Sequence, residues 1–248
     1  MSDLAFVDPA DVDATFRVCL WAAPGQGKSV AAASAPAPIL LVSADRPMAY
    51  AFARKHHGHT SESLREVRFT GKQTLEDVYR YLHTEDGAEI RTVVLDPFSN
   101  VYDVLLDQSP VNSDGDPDYQ GVNKTLLGFV KALRGCDVNV VLVAHERLND
   151  GKRGDGKLYP ALGGPALINK VLAELDICAR IERREPREDG GEPLWVGQLQ
   201  PVNNLVTKDA TGSDALGPVR IADLTRWFEL ASAALAPDAT ANEPVEVA

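Results

Sequence analysis

The chain has 248 residues, 44% of them hydrophobic and 25% charged, which suits one large α/β domain able to bury a sizeable core. Its formal net charge of −11 excludes nucleic-acid affinity spread over the whole surface, so any such binding has to be local. An acidic start, no apolar run near the ~18 residues of a membrane span, and three cysteines without C-x-x-C spacing (Cys19, Cys136, Cys178) argue against a signal peptide, a transmembrane helix, a disulfide framework and a zinc site. The expected location is cytoplasmic.

Residues 1–14 hold four aspartates and a proline and read as an exposed arm. An apolar run, Phe16 to Ala23, then reads as a buried strand that feeds the stretch APGQGKSV. This is close to G-x-x-x-x-G-K-[ST], a loop whose amides turn inward around phosphate oxygens. Gly27, Lys28 and Ser29 match, Pro24, Gly25 and Gln26 supply the turn, and Ala22 stands where the first glycine is expected. The loop from Pro24 to Val30 is the candidate nucleotide cradle. Lys28 is to reach the β- and γ-phosphates and the Ser29 hydroxyl to ligate Mg²⁺, at a helix N-terminus whose dipole favours an anion.

Ile39 to Ser43 reads as a second buried strand, followed by a helix from Pro47 to Lys55 that Gly58 ends. Asp45 lies between them and has two equal readings: N-cap of that helix, or the group that orients water for ATP hydrolysis. His56, His57 and His59 at the helix end read as complements to its dipole rather than as ligands. A helix from Leu75 to His83, with Thr74 as N-cap, precedes the strand Thr92 to Leu95. Asp96 ends that strand, as the acid of a Walker B segment does, and is the second Mg²⁺ ligand beside Ser29.

Residues 108–118 read as a loop; its Asp114, Asp116 and Asp118 lack the Gly and Glu that a Ca²⁺ loop needs. A helix from about Tyr119 to Arg134 leads to the strand Asn139 to Val143. His145 and Glu146 follow at its carboxyl end, where a polar side chain can sense the γ-phosphate. A long loop from Asn149 to Gly164 carries Lys152, Arg153, Lys157 and Tyr159, three cations and a stacking surface for a single strand of nucleic acid. Beyond it, short strands at Ile177 to Ile181, Leu194 to Gln200 and Leu205 to Lys208 predict an antiparallel extension, and a last helix runs from about Ala222 to Ala234. The expected organisation is an arm, a domain over 15–235, and a disordered acidic tail over 236–248.

The order APGQGKS, LLVSAD, VVLD, DYQGVNKTLLGFVKALR, NVVLVAHER, GG and VTKDATG, over roughly residues 16–230, resembles phage-encoded RecA-like nucleotide-binding proteins of single-strand annealing and recombination. The resemblance implies an α/β fold with a RecA-like P-loop NTPase core. The sheet is mostly parallel with helices on both faces, and another strand lies between the phosphate-loop strand and the Walker B strand. It implies ATP and Mg²⁺ as cofactors, single-stranded DNA and a single-strand-binding protein as partners, a homo-oligomer in a ring or filament, and the host cytoplasm as location. It also assigns Asp45 to the acid past the second strand, His145 to the sensor, and residues 149–164 to a DNA-contacting loop. Lys208 keeps the lysine of a Lys-x-Arg pair that acts on a neighbouring subunit's ATP. A small-molecule kinase, or a nucleotide-binding module that recruits replication partners with little turnover, remain as alternatives.

Overall fold

The computed structural model describes residues 14–46, 50–149, 155–185, 193–202, 204–211 and 215–235. The expected arm up to residue 13, the tail, and Lys152 and Arg153 lie outside them. Four strands whose sequences are almost wholly apolar form the centre: β1 (Arg17–Ala22), β2 (Ile39–Ser43), β4 (Thr92–Asp96) and the first half of β5 (Asn139–Leu148). They are buried on both faces because alternate residues feed two separate cores. In β1, Cys19 and Trp21 pack into one core while Val18, Leu20 and Ala22 pack into the other.

The first core is covered by α3 (Lys72–Leu82), α4 (Phe98–Asp107), α5 (Tyr119–Ala132) and α6 (Pro165–Ala173). The second is covered by α1 (Lys28–Ala33), α2 (Ala51–His57) and α7 (Leu224–Leu235). A six-residue helix such as α1 cannot stand alone in water. It is held by its buried alanines and by two histidines, His57 Nε2 on the Val30 carbonyl at 2.8 Å and His59 Nε2 on the Ala33 carbonyl at 2.7 Å. At its far end Ser34 accepts the Leu224 amide at 2.8 Å, which seats α7.

With β3 (Leu64–Arg68), β7 (Ile177–Arg184), β8 (Leu194–Gln198) and β10 (Val219–Ile221), the sheet order is β10-β8-β7-β1-β5-β4-β2-β3. All pairs from β7 to β3 are parallel. Strand β5 lies between the phosphate-loop strand β1 and the strand β4 that ends on Asp96, as the RecA-like resemblance implies. The fold is therefore the expected α/β one, with a mostly parallel sheet and helices on both faces.

Several boundaries differ from expectation. The antiparallel extension starts one strand later, because β7 joins β1 in parallel register and the strands beyond it, β8, β9 (Lys208–Asp209) and β10, run antiparallel to their neighbours. The long loop from Asn149 is in part a hairpin: β5 continues to Leu148 and β6 (Leu158–Pro160) pairs back on it. Helix α3 begins at Lys72 rather than after Thr74, whose hydroxyl instead accepts the Thr70 amide at 3.1 Å. Gly197 in β8 has no room for a side chain, since an added Cβ would lie 2.5 Å from the buried Trp227 ring.

Candidate functional site

The carboxyl ends of the parallel strands open into a cleft of about 1020 Å³. Its floor is the turn between β1 and α1. Gly25 and Gly27 hold φ of 79° and 84°, a left-handed conformation that side-chain-bearing residues rarely adopt. Gly27 is doubly constrained, because an added Cβ would sit 2.0 Å from the Trp195 indole. Pro24, Gly25, Gly27, Lys28, Ser29 and Val30 all line the cleft. The Gln26 side chain does not; its Oε1 accepts the Arg183 amide at 3.0 Å and ties the turn to β7.

Lys28 is only 7% exposed, and its Nζ donates to the Ala22 and Ala23 carbonyls, each at 3.0 Å. Burial lowers its pKa, against the opposing pull of Asp96, Glu146 and Asp45. Ser29 Oγ donates to Asp96 Oδ2 at 2.7 Å. Asp96 is 6% exposed; burial raises its pKa, while the Ser29 hydroxyl, Tyr50 and Lys28 pull it back. A hydroxyl beside a carboxylate at the mouth of a phosphate-sized turn is the hard-oxygen donor set that suits Mg²⁺, which takes one or two protein carboxylates and completes its shell with phosphate and water.

Asp45 also lines the cleft. Its N-cap reading loses support, because α2 starts at Ala51 with Tyr50 as the capping position. His145 lines the cleft as well; its Nδ1 is buried without a partner among the described residues, and burial first, then Lys28, lowers its pKa, which favours the neutral ring. Glu146, one residue on, points elsewhere: its carboxylate accepts Arg180 Nε at 2.8 Å and braces β5 against β7.

Among the residues of the cleft that were not legible in sequence, four stand out. Trp195 of β8, Phe52 and His56 of α2 form an aromatic rim, with His56 to Trp195 at 5.1 Å and Phe52 to Trp195 at 6.3 Å between ring centroids. Phe52 is 58% exposed, unusual for a phenylalanine. Arg183, opposite Trp195 across the hairpin, adds a cation. His56, in the last turn of α2 as expected, is thus also a wall of the cleft, whereas His57 and His59 hydrogen-bond to carbonyls of α1.

Besides Gln26 and Glu146, three further expected site residues lie outside the cleft. Lys208 is not a free strand-edge lysine: its Nζ donates to the Leu172 and Leu175 carbonyls at the end of α6, and its strand pairs with Cys178, level with Cys19 and well below the β1 end. Tyr159 packs against the first core and its hydroxyl donates to Asp155 Oδ2 at 2.7 Å, so its ring is half-buried rather than an open stacking face. Lys157 is exposed on the same hairpin.

A model of the AAA domain family matches residues 14–211. No curated protein matches the chain. Among solved structures it is similar to the flagellar accessory protein FlaH from Methanocaldococcus jannaschii, with 13% identity, 74% of this chain and 76% of that chain covered, and a TM-score of 0.45.

Proposed function

The chain belongs to the AAA domain family of P-loop ATPases, and from that premise we propose that it hydrolyses Mg²⁺-ATP as an oligomer on single-stranded DNA and promotes annealing and recombination. The observation that carries the ATPase part is the 2.7 Å bond between Ser29 and Asp96 beside the buried ammonium of Lys28. Ser29 and Asp96 would hold Mg²⁺, which supplies positive charge against the β- and γ-phosphate oxygens. Lys28 neutralises charge that grows on the γ-phosphoryl oxygens, and the turn's amides fix its position. Asp45 accepts a proton from, or orients, the attacking water. Neutral His145 offers its orphan Nδ1 to whatever occupies the γ position. The rim of Trp195, Phe52 and His56 fits a nucleobase, which stacks on aromatic faces, rather than phosphate alone.

The DNA part rests on the resemblance to annealing proteins and on charge. A chain with net −11 has to concentrate its phosphate contacts, and the loop holding Lys152, Arg153 and Lys157 is where the sequence places three cations together. Phosphate release measured with and without single-stranded DNA tests the proposal, and DNA stimulation is expected. Turnover that ignores DNA removes the DNA part; ATP binding without turnover in either condition favours a recruiting module. Replacing Lys152, Arg153 and Lys157 together by Ala is expected to spare basal turnover. It should reduce the slope of log affinity against log salt by about 2, at roughly 0.7 per lost single-strand contact.

A further inference from the structure

Ser29 and Asp96 face the cleft, and behind them in the second core stands Tyr50, which does not reach the cleft. Tyr50 is 2% exposed, and its hydroxyl is buried with no hydrogen-bond partner among the described residues. A buried hydroxyl left unpaired is destabilising, so packing alone would be served better by phenylalanine. The oxygen calls for another account. The Asp96 carboxylate and the Ser29 hydroxyl both lie within interacting reach of it, and Glu66 adds a further negative charge, so the hydroxyl stands beside the pair without a full hydrogen bond to either. Asp96 Oδ2 already accepts the Ser29 hydroxyl from the cleft side.

We infer that Tyr50 is a positioning residue for the Ser29–Asp96 pair: its hydroxyl donates to the Asp96 carboxylate from the core side when that carboxylate ligates a divalent cation. The inference rests on the Mg²⁺-nucleotide reading of the cleft. A carboxylate gripped from behind cannot rotate, so its free lone pairs stay directed at the cation. Outer-shell donors of this kind tune metal affinity by 10- to 100-fold in other sites, and bonds that are loose without ligand tighten when it binds.

The test is Tyr50→Phe, which keeps the ring and removes only the oxygen. Mn²⁺ serves as the probe, titrated by electron paramagnetic resonance in the presence of a non-hydrolysable ATP analogue. Mn²⁺ affinity about tenfold weaker than wild type is expected, with unchanged analogue affinity in excess EDTA and an unchanged or raised melting temperature. Equal Mn²⁺ affinity in the two proteins overturns the inference. So does a parallel loss of analogue affinity in EDTA, which would give the hydroxyl a structural role in the turn. Wild-type protein that binds no Mn²⁺ with the analogue would instead overturn the reading of the cleft itself. A second measurement avoids mutation of the tyrosine: 3-fluorotyrosine placed at position 50 should show a fluorine resonance that moves on adding Mg²⁺ with the analogue, and not in an Asp96→Asn background. A resonance that stays still in both proteins overturns the inference.

Discussion

Lys28 is held between two carbonyls of its own turn and the field of three carboxylates, Asp96, Glu146 and Asp45. That setting opposes the lowering of its pKa by burial. Lys28→Ala is expected to lower phosphate release by at least 10²-fold, the cost of removing one preorganised charge from a transition state. Trp195→Ala, in contrast, should act on binding. A stacked base is worth about 1–3 kcal/mol, so KM for ATP should rise roughly 5- to 150-fold with kcat little changed. His57 gives the pH dependence. Burial holds its pKa below 6.5 in the folded chain, so the unfolded chain binds more protons between the folded and unfolded values. Its contribution is complete above the unfolded value and is lost as pH falls through that window. Melting temperatures measured from about pH 8 to 5 should fall on the acid side, and His57→Gln, which can still donate to the Val30 carbonyl, should fall less steeply.

At the scale of elements, the hairpin of β7 and β8 and the end of α6 are each held by contacts from segments distant in the chain. Gln26 to Arg183 links the turn to the hairpin across 157 residues of sequence, and through it places Trp195 over Gly27. Lys208 stops the carbonyl end of α6, where a cation also complements the helix dipole. Hydrogen bonds from a charged group are worth about 1.5–3 kcal/mol, so Lys208→Ala should lower the melting temperature by roughly 3–10 °C while phosphate release at low temperature persists. Mixing the Lys28→Ala and Lys208→Ala proteins separates this from action on a neighbour. If the lysine acts within its own subunit, the mixture shows only what each variant shows alone. If it completes the next subunit's site, Lys208→Ala alone is inactive and random equal mixing restores roughly a quarter of the composite sites.

For the whole molecule, the two cores on opposite faces of one sheet leave the carboxyl edge free for the cleft, and every residue proposed to meet nucleotide reaches it from that edge. The net charge of −11 acts at the same scale. It opposes approach to a polyanion, so association with single-stranded DNA should accelerate as salt rises from very low values, even though the affinity owed to the local cations weakens. Stopped-flow anisotropy with a labelled oligonucleotide measures both.

The sequence by itself determined the central strands, because a parallel strand covered on both faces must be apolar through its middle, and Ile39–Ser43, Thr92–Asp96 and the first half of β5 are, with polar residues only at their ends. It also determined the phosphate turn, since positive φ at Gly25 and Gly27 and a following Lys-Ser are local requirements. Helix α4 was as legible in principle, with Phe98, Val101, Tyr102 and Leu105 at helical spacing, but it is short and begins on a proline. Strand β3 is a polar edge strand with little alternation to mark it. Tertiary structure alone decided the rest. Whether Glu146 faces nucleotide or Arg180, whether Lys208 is free or caps a helix, and whether Trp195 fills a core or covers a turn all depend on what lies across a strand or hairpin. Those neighbours come from segments far apart in the chain, and pairing at that separation leaves no period in the sequence to read.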